Sequence, residues 1–143
     1  MLDKSQWSAL IPHQGTMCLL DTVVAWDDER IHARTASHAR SDNPLRADGR
    51  LRSLHLCEYG AQAMAVHGGL LAQAAGGRAA PGLLVSLRDV ELTRACVEDL
   101  AGELDVHAER LLAGAQSWQY AFRVEHAGVL IARGRAAVMV QSA

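Results

Sequence analysis

The chain has 143 residues, half of them hydrophobic, and a formal charge of −2; that length suits one domain, residues 1–143, with ample material for a core. Acids and bases are interspersed without a basic stripe or an arginine-rich arm, which argues against nucleic acid as a partner. The cysteines Cys18, Cys57 and Cys96 are odd in number and far apart, so they point to reduced thiols in the cytoplasm rather than a disulfide framework. No Cys/His spacing suits zinc, and no metal is expected.

In chain order, the opening Met1-Leu2-Asp3-Lys4-Ser5-Gln6-Trp7 lacks the regions of a secretory signal. Trp7 to Pro12 reads as a short helical turn ended by the proline. Met17 to Trp26 reads as a strand closing on the polar turn Asp27-Asp28-Glu29-Arg30, and Ile31, Ala33 and Thr35 alternate with His32 and Arg34 as a return strand. Ala39 to Arg52 is polar, with Pro44 and Gly49, and reads as a long loop of the kind that often carries function. Ser53 is the expected N-cap of a helix that runs to about Ala75 and stops at Gly76-Gly77. That stretch is interrupted by Glu58, Gln62, His67 and glycines, so it makes a poor membrane span. Val85 to Leu92 reads as a strand whose alternation slips near Arg88-Asp89, a bulge. Residues 103–109, 118–125 and 130–140 keep a period of two, with turns at Gly114 and Gly128. The expected class is α+β: an antiparallel sheet wrapped around one long, mostly apolar helix, whose apolar surface must be covered on most sides.

Glu58 is the only formally charged residue between Ser53 and Ala75, and Leu54, Ala61 and Ala65 share its side of the helix. A carboxylate on such a stripe needs a partner or a shifted titration, which suits a general acid or base; the alternative is a glutamate that favours the helix N-terminus. Gln62, one turn on, could hydrogen-bond Glu58 or a ligand. His55 lies three residues before Glu58. His13 follows Pro12 and precedes Gln14-Gly15, so a tight segment presents its ring. His67 reads as packing or solvent-facing, and His32, His38, His107 and His126 read as surface residues.

Leu10-Ile11-Pro12-His13 followed by Met17-Cys18-Leu19-Leu20-Asp21-Thr22-Val23, with Glu58-Tyr59-Gly60-Ala61-Gln62-Ala63 on the helix, resembles the 3-hydroxyacyl-ACP dehydratases over nearly the whole chain. The stretch from Pro81 to Arg94 and the closing strands follow the same layout. The resemblance implies a hotdog fold, a homodimer joined at strand edges, and an acyl thioester carried on the phosphopantetheine of an acyl carrier protein or coenzyme A. It implies no cofactor of the protein's own. The family acid carries over to Glu58. The family histidine, in a Gly-His-Phe-Pro element, does not: residues 43–50 read Asn-Pro-Leu-Arg-Ala-Asp-Gly-Arg. In this the chain is similar to the divergent dehydratase-like proteins of aryl-polyene gene clusters. His13 is the expected replacement as second catalytic group, with Gln62 and His55 as substrate-binding residues. Arg46, Arg50 and Arg52 could meet an acidic carrier protein or simply form a solvated loop. The expected activity is dehydration of a 3-hydroxyacyl thioester; the alternatives are a thioesterase of the same fold and a non-catalytic carrier-binding subunit.

Overall fold

The computed structural model describes residues 1–78 and 82–140; Pro81, where one of the segments matched to the family begins, lies outside the described residues. Within them the strands are β1 (Leu2–Asp3), β2 (Thr22–Trp26), β3 (Arg30–Thr35), β4 (Gly82–Leu92), β5 (Leu104–Ala113), β6 (Ser117–His126) and β7 (Val129–Val140). They form one sheet in the order β1-β2-β3-β5-β6-β7-β4, every neighbour antiparallel. The helix α2 (Leu56–Ala74) lies against one face, and a shorter α1 (Lys4–Trp7) sits near the N-terminus. This is the hotdog layout that the patterning and the resemblance led one to expect.

Alternation explains the two faces of the sheet. Ile31, Ala33, Leu104, Val106, Ala108, Tyr120, Phe122, Val124, Ala132 and Ala136 are all buried on the helix side, while the residues between them face outward. Glycines let α2 approach. A Cβ on Gly60 would stand 2.6 Å from the Phe122 ring, and one on Gly68 would stand 2.7 Å from Trp118. Among the described residues no helix is long and apolar enough to cross a membrane.

The β6–β7 hairpin turns at Ala127-Gly128, both with positive φ (50° and 79°), the two-residue turn whose twist suits a hairpin. The slip expected near Arg88-Asp89 is present: Asp89 has φ 54°, and the β4–β7 register shifts between Arg88 and Glu91.

Four local readings change. The opening turn is displaced, with α1 at Lys4–Trp7 and a 3₁₀ turn at Ser8–Leu10. The strand expected from Met17 is regular only from Thr22, because the backbone of residues 17–19 bonds to a helix side chain instead of a neighbouring strand. Ser53 is not a cap: it opens a 3₁₀ turn, Ser53–His55, and its buried hydroxyl has no partner among the described residues. His38 is buried rather than on the surface, held at 2.8 Å from the Leu100 carbonyl.

Candidate active site

Glu58 sits in the first turn of α2, and its Oε1 lies 3.2 Å from His13 Nε2. The two side chains retain 33% and 27% of their exposure respectively, so solvent reaches both. Glu58 is therefore partnered and partly wet; the apolar surroundings suggested by its neighbours in sequence are only half the picture. An ionised Glu58 can only accept, so in that state the ring carries its proton on Nε2. Nδ1 is buried with no hydrogen-bond partner among the described residues.

His13 is far from Glu58 in sequence and is brought there by Gln62, which is fully buried. The Gln62 Nε2 donates to the Met17 carbonyl at 2.8 Å and to Glu58 Oε1 at 3.3 Å, and its Oε1 accepts the Leu19 N–H at 2.9 Å. One amide thus stitches residues 17–19 to α2 and steadies the carboxylate. Farther along, Leu10 packs against Gly69, where a Cβ would stand only 2.8 Å from the Leu10 Cβ. Between these two anchors the Pro12-His13 segment has to pass Glu58.

The same segment is held from its other side. The Leu19 carbonyl accepts the hydroxyls of Thr35 and Ser37. Ser37 Oγ is 2.9 Å from Tyr59 Oη, which accepts Asn43 Nδ2 at 2.9 Å. With the Ser37 hydrogen on the Leu19 carbonyl, the phenol donates to Ser37 while accepting from Asn43, and each hydroxyl has a partner. Asn43 opens the stretch where the resembling family keeps its histidine. Here that position is an anchor, with its Oδ1 accepting the Leu45 N–H.

The sequence-derived residues thus separate. His13 and Glu58 meet. Gln62 touches Glu58, and its amide is engaged with Met17, Leu19 and Glu58. His55 stands half-buried where the 3₁₀ turn meets α2, and its ring makes no hydrogen bond or ion pair among the described residues. Of the arginines considered for a carrier, Arg50 pairs with Glu98 at 2.9 Å. The Thr35–Ser37–Asn43–Tyr59 network was invisible in the sequence; the one available signal was Tyr59 beside Glu58. The cysteines are buried and free, and burial raises the Cys57 thiol above its ordinary range, which disfavours it as a nucleophile.

The model of the ApeP-like family, described as ApeP dehydratase, matches residues 5–143. Among curated proteins none matches the chain. Among solved structures, the dehydratase heterocomplex ApeI:P from Xenorhabdus doucetiae superposes with a TM-score of 0.85 at 22% identity, covering 99% of this chain and 93% of that one. A thioesterase from Haemophilus influenzae gives 0.63 at 12% identity, covering 99% and 92%. A hypothetical thioesterase protein from Streptococcus pneumoniae TIGR4, solved with coenzyme A, gives 0.59 at 14% identity, covering 85% of each chain. With the family matched across nearly its whole length and the hotdog sheet and helix in place, the chain belongs to the ApeP-like dehydratase family.

Proposed function

We propose that this protein dehydrates a 3-hydroxyacyl thioester borne on phosphopantetheine, with His13 and Glu58 as the two proton-handling groups. The observation that carries the reading is the 3.2 Å approach of His13 Nε2 to Glu58 Oε1. Elimination of water needs one group to take a proton from C2 and another to protonate the departing C3 hydroxyl. His13, with Nε2 free, takes the C2 proton; Glu58, protonated, delivers one to the hydroxyl. The C3–O bond breaks, the C2=C3 bond forms, and water leaves. The proton taken up by His13 then returns to Glu58, restoring the pair. The positive end of the α2 dipole, at its N-terminal turn, is suited to the charge that gathers on the thioester oxygen. The substrate supplies the phosphopantetheine arm, and the reading asks for no other cofactor.

A thioesterase would need only Glu58 and a water. The placement of a histidine against that carboxylate favours the two-group reaction. Offered 3-hydroxyacyl and saturated acyl thioesters side by side, the protein should convert the first to the enoyl thioester and leave the second intact. Release of free thiol from the saturated substrate instead would support the thioesterase.

The edge of β4 fits the proposed assembly. Leu83, Leu84, Val85, Leu87 and Leu92 along it are 41–56% exposed, and an apolar edge strand of 11 residues invites pairing. A second hotdog chain, another copy in the simplest case, would extend the sheet there. The ApeI:P heterocomplex offers the alternative of a related but different chain. We place the protein in the cytoplasm, consistent with its three free thiols.

A further inference from the structure

We propose that the convex face of the sheet, turned away from α2, carries a second site, for an oligophosphate anion. Outward side chains run across this face in register. One row is His32, His107, Arg123, Arg133 and Glu91; the next is Arg30, Glu109, Ala121, Arg135 and Arg88. Arg123 therefore stands directly opposite Arg133, and Arg135 directly opposite Arg88. Like charges so placed are destabilising, and here two such pairs adjoin.

The carboxylates nearby neutralise only part of this charge. Glu125 lies 3.5 Å from Arg123, Glu91 2.8 Å from Arg133, and Glu109 3.4 Å from Arg30. Arg88 and Arg135 have no ion pair among the described residues. Two shallow, open depressions of about 500 and 300 Å³ lie on this face and share Glu109 and Arg123 in their walls. Ala121, between Glu109 and Arg135 in its row, leaves the floor low. At the other end His32 and His107 stack with ring centres 4.2 Å apart.

Asp89, Glu91 and Glu109 on the rim repel anions, so binding there depends on contacts to several guanidinium groups at once. The ligand must bring several negative charges close together and accept paired N–H bonds from more than one guanidinium, which a diphosphate does. The site lies on the opposite side of the sheet from Glu58 and His13, so it is independent of their chemistry.

Calorimetric titration of the full chain with inorganic pyrophosphate is the test. The expected result is saturable binding that weakens with added salt, falls at least about tenfold in an Arg88→Gln/Arg135→Gln double variant, and is unchanged in Glu58→Gln. Orthophosphate should bind more weakly than pyrophosphate. Coenzyme A as competitor separates the sources of the diphosphate: displacement assigns a nucleotide-borne group, and no displacement leaves the inorganic anion as the ligand. Absence of saturable pyrophosphate binding would overturn the site. So would a double variant that melts at the same temperature and binds as tightly as the parent.

Discussion

His13 and Glu58 meet because of Gln62, so these three residues should respond differently to substitution. Glu58→Gln and His13→Ala change partly exposed side chains and should leave the melting temperature nearly unchanged, while, with the two as the proposed proton-handling groups, turnover falls by roughly 10²–10⁴-fold. Gln62→Ala strands the half-buried Met17 carbonyl and the buried Leu19 N–H. It should lower stability by about 1–3 kcal/mol per orphaned group in a denaturant titration, with activity falling because His13 drifts. A Gln62→Ala protein as stable as the parent would show that residues 17–19 do not depend on this amide. The pairing of Glu58 with Gln62 could be read from their spacing of four on a helix, and His13 stood out because its motif matched the dehydratases. Gln62's reach to residues 17–19 could not be read, since spacing along one helix says nothing about what lies across from it.

At the scale of elements, α2 is held by a buried histidine and by glycines as much as by its apolar stripe. His67 is fully buried, with Nε2 2.7 Å from the Asp27 carbonyl and Nδ1 2.8 Å from Tyr120 Oη. A carbonyl only accepts, so Nε2 carries the hydrogen and the tyrosine donates to Nδ1. This neutral ring ties the helix to both the β2–β3 turn and β6. Burial pushes the titration of His67 and of His38 below the ordinary imidazole range. A base whose folded-state pKa is depressed binds its proton more readily in the unfolded chain. Stability is therefore full above the unfolded value, about 6.5, and is lost as pH falls below it, by up to about 1.4 kcal/mol per pH unit for each group. Melting temperature measured from pH 8 to pH 5 should be flat and then fall, and His67→Gln should flatten part of that fall. A curve flat to pH 5 would mean that these rings protonate without cost.

Gly60→Ala would drive a methyl group into Phe122, and a loss of about 1–3 kcal/mol in a thermal melt is expected from such overpacking. The helix and the later strands were readable because their apolar periods are regular. The loop network around Tyr59 was not, because Thr35, Ser37 and Asn43 are polar residues buried by tertiary contacts, and composition alone makes such a stretch look solvated.

For the whole molecule, the sheet order leaves β4 at one end with leucines exposed along it. Light scattering at micromolar concentration should give a dimer, and charged residues at Leu84 and Leu87 should shift it toward monomer; a monomeric parent protein would contradict pairing at this edge. The α+β class was readable from one long helix among alternating strands, and the hotdog layout from the resemblance carried by the opening and helix motifs, whereas the choice of partner along β4 depends on a surface absent from the chain itself. The chemistry is tested most directly by turnover of a carrier-bound 3-hydroxyacyl thioester, followed by the mass of the acyl chain, with the parent beside His13→Ala and Glu58→Gln. The parent should lose one water from the substrate, and each variant should be slower by roughly 10²–10⁴-fold while still binding the carrier. Full dehydration by His13→Ala, or none by the parent with either its own copies or a related chain present, would contradict a His13–Glu58 dehydratase.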